Sequence, residues 1–464
     1  MKISRPNPLS PTLWPATGSE LSSVTVERME IPKAVAEAYA QLERGVRTIV
    51  HTDRVSYAAP VNFTESMKTP RHRWFPYKEG FSPSFVRSFF DIHAGSRVGR
   101  TLDPFAGVGT TALEASLCGG DGVGIEVSPM AAFVARTKGI QLSSLQLTRF
   151  RALIGQYERS RKLRPCPFPN NTTVTSYFEE PYLDALMSVR GFAEQLDDET
   201  LADLFRLSFL SEIEPFSTHR KAGNGQKRKT RLLYRDLPGS PLEQVRAAIV
   251  TRLRMYADDI ERTPRTGTML IEQGTSLGAV RSMDEASIDS VLTSPPYANC
   301  FDYSKIYLCE LWLGGFFKSI DDQRAFRESS MRSHVHARWV ARHDDFGSRV
   351  VDDVIAPLLD RADLWSKQIP EMLRGYFRDL GKLLHDLYPV IKPHAPIGIV
   401  VSNSSYGGIP IATDLLVGEV ARSCGYAIDC IEVYRYMIPS SQQFMQVRDR
   451  SLFRESMVVC RRPQ

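Results

Sequence analysis

The chain has 464 residues, 42% of them hydrophobic, enough to bury one large core plus a second domain or sizeable insertions, which excludes a small cross-linked scaffold. A formal net charge of +5 is too small for bulk attraction to a polyanion, so any such attraction has to come from local clusters. Seven cysteines without a CxxC pair or a matched Cys/His spacing speak against structural zinc and a disulfide framework, and predict a reduced compartment. Cys118, Cys309 and Cys424 sit in apolar helical contexts and read as core. With no apolar N-terminal segment and no membrane-length apolar run, a soluble cytoplasmic chain with no membrane partner is expected.

In chain order, residues 1–26 are rich in Pro, Ser and Thr and read as an extended arm. From Ala34 to Val46, the apolar residues Val35, Ala38, Tyr39, Leu42 and Val46 recur at helical spacing. Strands are then expected near 100–104, 122–126, 269–272, 289–293 and 397–401, with helices starting near 110, 128 and 412. A last pair of strands near 428–434 and 456–461 is joined by a polar connection too poor in helical signal for a crossover, so it should be antiparallel. The periodicity predicts a doubly wound α/β sheet.

The first motif is Thr101-Leu102-Asp103-Pro104-Phe105-Ala106-Gly107-Val108-Gly109-Thr110-Thr111: a strand, a glycine turn and a helix start. Gly107 and Gly109 permit a tight turn and close approach of a ligand to the backbone. About twenty residues on, the strand Gly122–Glu126 ends in a carboxylate, where open α/β sheets place the acid that grips ribose hydroxyls.

Two intervals break the strand–helix rhythm. Roughly 140 residues separate the second strand from the third, far more than a crossover needs. Within them, Thr218–Arg235 holds seven Lys/Arg and no acid, a pattern that more often tracks phosphates than a mixed charge run does. About 100 residues separate Tyr297 from the strand at Ile397. Helical patterns at Ile306–Phe317 and Met372–Leu387 flank a stretch carrying Arg324, Arg327, Arg332, His334, His336, Arg338, Trp339 and Arg342. Arg and Trp together can grip a strand and stack on bases, and a surface helix with Trp339 packed inward is nearly as good a reading.

The second motif is Thr293-Ser294-Pro295-Pro296-Tyr297, after the apolar run Ile288–Leu292. Neither proline can donate to a ladder, so the strand must stop and the chain must leave the sheet. The stiffened exit loop would hold the Ser294 hydroxyl, the Ser294 and Pro295 carbonyls and the Tyr297 ring in a nearly constant array. A nucleobase amino group is a poor nucleophile because its lone pair is delocalised into the ring. Acceptors for its N–H bonds, with an aromatic face for the base, would correct that.

Together, Asp103-Pro104-Phe105-Ala106-Gly107-Val108-Gly109 and Thr293-Ser294-Pro295-Pro296-Tyr297 resemble the cofactor and catalytic motifs of the DNA amino-methyltransferases, which use S-adenosylmethionine. Phe75-Pro76-Tyr77-Lys78-Glu79-Gly80-Phe81-Ser82-Pro83 is similar to the segment that in this family contacts the methionine part of the cofactor. The resemblance covers roughly residues 70–140 and 268–464. It implies a Rossmann-like sheet of seven strands with a terminal antiparallel hairpin, interrupted by insertions. The division it suggests is an N-terminal arm and helix (1–70), a catalytic domain (71–145 and 268–464), an inserted target-recognition region (146–267) and a second, mainly helical insertion (315–370).

By the same resemblance, Ser294, Pro295, Pro296 and Tyr297 are catalytic, and Phe75, Ser82, Asp103, Phe105, Gly107, Gly109, Glu126 and Gly274 hold the cofactor. Asp103 would face the methionine ammonium and Glu126 the ribose, with Phe105 or Phe75 near the sulfonium. The substrate implied is a flipped base in double-stranded DNA, and a separately encoded restriction endonuclease is the implied partner. The Ser form of the motif leans toward N4 of cytosine and the Asp form toward N6 of adenine. One departure is Gln273-Gly274-Thr275-Ser276, where the family commonly carries Gly-Asp, which puts the adenine contact in doubt.

Other readings fit less well. RNA and protein-amide methyltransferases usually carry Asn or Asp before Pro-Pro and lack two long insertions. A binding module that kept the fold as scaffold would not need Asp103, Gly107, Gly109, Glu126 and Ser294 all in place. Pro165-Cys166 lies in a proline-rich connector with no strand before it, so a cysteine-nucleophile reading fails. His334 and His336 at i, i+2 have no third ligand nearby, so no metal is expected.

Overall fold

A computed structural model describes residues 31–51, 61–95, 98–160, 163–336, 346–437 and 452–464. The expected arm, residues 1–26, and Arg338, Trp339 and Arg342 lie outside them. The first helix, Lys33–Glu43, buries Val35 and Tyr39 and leads to β1, Thr48–Val50. The helix Pro83–Phe89 starts where Ser82 accepts from the Phe85 amide. Next come β2 (Arg100–Asp103), the helix Thr110–Leu117, β3 (Asp121–Glu126) and the helix Pro129–Lys138. At Gly122 any Cβ would lie 2.0 Å from the Ala112 carbonyl oxygen, so glycine is what lets the helix Thr110–Leu117 settle on the sheet.

The first insertion contains the helices Ser144–Arg159, Glu180–Ala193, Glu199–Glu212 and Pro241–Arg262, with a hairpin of β4 (His219–Ala222) and β5 (Gly225–Arg228) between the last two. The sheet resumes with β6 (Thr268–Gln273) and β7 (Ser290–Thr293). The second insertion includes the helix Ile320–Ser329; the helix Ile369–Leu387 then feeds β8 (Pro396–Ser402). A small hairpin of β9 (Ser404–Tyr406) and β10 (Ile409–Ile411), the helix Thr413–Ser423, β11 (Ala427–Tyr436) and β12 (Arg454–Arg461) complete the described chain. Among the described residues, no helix is long and apolar enough to cross a membrane.

The main sheet has the order β1-β11-β12-β8-β7-β2-β3-β6, and within it β12 runs against the other strands. It therefore has eight strands where seven were expected. The extra strand, β1, escapes a pattern reading because its three residues lie at the edge and are partly or wholly exposed, leaving no apolar alternation.

The first insertion shares a core with the segment before β2, the glycine turn after it and the helix Pro129–Lys138. Trp74, Phe75, Val108, Met130 and Val134 belong to the same apolar cluster as Leu186, Phe205, Ile249 and Tyr256. Below it, the Asp259 carboxylate accepts from the Arg71 amide, the Arg73 guanidinium and the Trp74 indole, tying the segment before β2 to the helix Pro241–Arg262.

The edge strand β1 is anchored through Glu432 on β11, which meets His51 at 2.8 Å and His93 at 2.9 Å. Burial alone would push its carboxyl up, but hydrogen bonds from His93, Tyr434 and His51 outweigh that and hold it down to about 2. A depressed carboxyl stabilises the fold above its unfolded value of 4.5, and this contribution is lost as pH falls toward 2. Glu432→Gln should therefore lose less stability than wild type between about pH 5 and pH 3 in denaturant titrations. Parallel losses would show that Glu432 is not a source of the acid sensitivity.

Candidate active site

Going from β2 to β3 and β6 the chain moves one way across the sheet, and from β7 to β8 it moves the other way. The reversal lies between β2 and β7, and the crevice outside the carboxyl ends of such neighbours is where open α/β sheets bind ligands. Both motifs leave the sheet there. The Asp103 carboxylate joins them, one oxygen accepting from the Phe105 amide at 3.0 Å and from the Thr293 hydroxyl at 2.7 Å. The Thr111 hydroxyl adds a bond to the Leu292 carbonyl at 3.2 Å.

A cleft opens at this point. Asp103, Phe105, Gly107, Glu126, Gly274, Ser294 and Pro296 line it, so it gathers residues distant in the chain. Glu126 Oε2 accepts from the Gly107 amide and Oε1 from the Ser128 amide, both at 2.7 Å. Gly107 has φ +51°, and a Cβ there would lie 3.2 Å from the Tyr77 ring, so a side chain would strain the backbone and crowd that ring.

Five expected site residues lie elsewhere. Phe75 is buried beneath the wall, its ring 6.3 Å from that of Tyr307, because it is a core member shared with the first insertion. Ser82 is occupied as a helix cap. Gly109 takes a left-handed conformation before the helix, where a Cβ would lie 2.8 Å from that of Ala135. Pro295 is buried in the turn, and Tyr297 turns toward the sheet edge, where its hydroxyl donates to Glu455 at 2.6 Å. Neither belongs to the lining of the cleft.

Residue patterns alone did not single out Tyr77, Glu79, Asp302, Tyr303 or Tyr307, all of which line the cleft. Tyr77 stacks on Tyr307 with centroids 5.2 Å apart, and the Tyr307 hydroxyl donates to Glu79 at 2.5 Å. The i, i+4 pair Tyr303 and Tyr307 was the available signal. Another wall comes from Ser329–His334 of the second insertion. Its arginines are engaged internally: Arg327 pairs with Asp302 at 2.9 Å, and Arg332 grips Asp379 through its backbone amide and guanidinium. His334 Nδ1 accepts from the His336 amide, and burial pushes the ring down to about 4, so it is neutral at pH 7. Among the described residues, no cluster of His, Cys, Asp or Glu is arranged to hold a metal ion.

The lining thus holds four carboxyl groups, Glu79, Asp103, Glu126 and Asp302, and no Lys or Arg among the described residues. Asp302 is already paired with Arg327, and the other three, beside the cleft's aromatic rings, suit a cationic ligand that also offers hydroxyl donors. The chain is similar over most of its length to Type II methyltransferases. Type II methyltransferase M.AvaI of Nostoc sp. (strain PCC 7120 / SAG 25.82 / UTEX 2576) is 25% identical over 430 residues, covering 87% of this chain and 89% of the relative. M.BsoBI of Geobacillus stearothermophilus is 26% identical over 487 residues, covering 94% and 92%, and M.MvaI of Kocuria varians is 20% identical over 385, covering 76% and 81%. No family model matches the chain.

The basic run, Thr218–Arg235, lies in the first insertion. Most of its charge is used internally. Lys221 is buried between Glu214 and Glu310, and the Lys229 ammonium donates to the carbonyls of Glu214, Pro215 and Ser217. Arg231 pairs with Asp236 and Arg235 with Glu179. Arg220, Lys227 and Arg228 on the β4–β5 hairpin are exposed. The hairpin rests on the loop after the second motif, Asn224 donating to the Cys300 carbonyl at 2.9 Å and Gln226 to that of Ile306 at 2.6 Å.

Burial pushes the Glu126 carboxyl up to about 7 and that of Asp103 up to about 6, against the bonds that each accepts. A raised carboxyl keeps its proton in the folded chain at pH values where the unfolded chain has released it. Stability of the ligand-free protein should therefore fall as pH rises from about 4 to about 7. Glu126→Gln should flatten this decline in thermal unfolding between about pH 5 and pH 8. An unchanged slope would remove Glu126 as its source.

Proposed function

We propose that the chain is a site-specific DNA methyltransferase that methylates the exocyclic N4 amino group of cytosine, flipped out of the duplex, with S-adenosylmethionine as donor. The observation that carries this reading is the cleft at the switch point, lined by four carboxyl groups and no Lys or Arg among the described residues, with Ser294 on its rim. Similarity to Type II methyltransferases over most of the chain supports it. In that setting a separately encoded restriction endonuclease is the natural partner, and the bacterial cytoplasm the natural location.

The residues present suit the donor. Asp103 would meet the ammonium, and Glu126, each of whose oxygens takes one backbone N–H, keeps lone pairs for ribose hydroxyls. Phe105 offers an aromatic face to the positive sulfur. When bound, S-adenosylmethionine supplies an electrophilic methyl group. Ser294 accepts a hydrogen bond from the target amino group and draws its nitrogen out of conjugation, an interaction strongest in the transition state, while Pro295, expected to share this role through its carbonyl, is buried behind the turn. Flipping brings the base within reach, since paired and stacked it is inaccessible. Arg220, Lys227 and Arg228 neutralise phosphates beside it.

Incubation with labelled S-adenosylmethionine and unmodified duplex DNA, followed by nucleoside mass spectrometry, should give N4-methylcytosine. 5-Methylcytosine would overturn the mechanism, and N6-methyladenine would change the base alone. Ser294→Ala should slow single-turnover transfer by about ten- to a thousandfold with cofactor and DNA affinities little changed. Full activity in that variant would refute the assignment of Ser294.

Replacing Arg220, Lys227 and Arg228 together by Gln should weaken binding about equally across DNA sequences. It should also flatten the plot of log affinity against log salt by nearly one unit per lost contact. A slope equal to wild type would mean that the hairpin merely faces solvent.

A further inference from the structure

The Ser294–Tyr297 turn is staked at both ends. Before it, the Thr293 hydroxyl is bound to Asp103. At its far end, the Tyr297 hydroxyl donates to Glu455 Oε1 at 2.6 Å, and the next residue's carbonyl, Ala298, accepts from Ser404 at 3.0 Å and Tyr406 at 2.9 Å. Glu455 is 3% exposed. Because β12 runs against its neighbours, its amino end lies at the edge where the parallel strands end. Glu455 there stands opposite Ser402 of β8 and Arg435 of β11. The Arg435 guanidinium donates to Oε2, which leaves Oε1 for the phenol. A buried hydrogen bond to a charged acceptor is among the stronger and more directional contacts available to a loop.

The intervening residues transmit that restraint. Pro295 and Pro296 each have φ locked by the ring, so little soft rotation separates Tyr297 from Ser294. We propose that Glu455 is a positioning residue for the catalytic turn: through the Tyr297 hydroxyl it sets where Ser294 stands relative to the cleft. The hydroxyl of Tyr297, and not its ring alone, is then required. This inference rests on the role given to Ser294 above. Misplacement of a reacting group by about 1 Å can cost about a hundredfold in rate, so a loosened stake should register in the transfer step.

The test is single-turnover methylation of unmodified plasmid DNA by the full-length chain, with cofactor affinity measured by calorimetry and folding by thermal unfolding. Tyr297→Phe and Glu455→Ala should each slow transfer about tenfold with cofactor affinity unchanged. The double variant should be no slower than Glu455→Ala alone, because the Tyr297–Glu455 contact is already lost in it. Glu455→Gln keeps an oxygen that accepts from the phenol and should recover most of the rate. Tyr297→Phe at the wild-type rate, or losses that multiply in the double variant, would overturn the proposal alone. Should Glu455→Ala fail to fold, Tyr297→Phe and Glu455→Gln still decide it. A wild-type protein that transfers no methyl to DNA would overturn the substrate reading and this proposal with it.

Discussion

Everything at the cleft depends on one carboxylate. Asp103 ends β2 at the point where the strand order reverses, and a single oxygen bonds both the turn that follows β2 and the threonine that ends β7. Two loops separated by about 190 residues are thereby locked in register at their roots, a contact with a high loop-closure cost that only a rigid sheet can make routine. Burial raises the group, so ionising it costs energy that a bound cation can offset. The strongest structural link in the site is thus also one of its least comfortable charges.

The sheet was legible because its strands obey local rules: apolar runs, glycine turns and proline stops, each readable within a dozen residues. Seven strands follow from those rules, and the switch point follows from their order. What failed was either too short or too long in range. β1 is three residues at an edge, and its anchorage depends on Glu432, nearly four hundred residues away. Asp103, Glu126, Gly107 and Ser294 were found because they sit at strand ends. Tyr307 was not, since its meeting with Tyr77 and Glu79, which lie in the motif segment Phe75–Pro83, is a tertiary event between a connector and a loop after β7.

The basic run shows the limit of reading charge from sequence. Seven cations without an acid look like a phosphate track, yet acids outside the run pair with three of them, Glu214 and Glu310 with Lys221, Asp236 with Arg231 and Glu179 with Arg235, while backbone carbonyls near Glu214 accept from Lys229. Local composition cannot reveal partners that folding supplies. The same holds for Phe75, whose aromatic character suited a sulfonium but whose place is in a core that the first insertion completes.

That shared core has an engineering consequence. A region occupying residues 146–267 looks like a cassette that could be exchanged to alter which sequence is modified. Removing it would strip Trp74, Val108 and Met130 of their packing partners, and its hairpin would leave the Cys300 and Ile306 carbonyls without their donors. Any transplant must therefore carry matching surfaces on the host, so the inserted region and the catalytic half that it packs against can only be changed together.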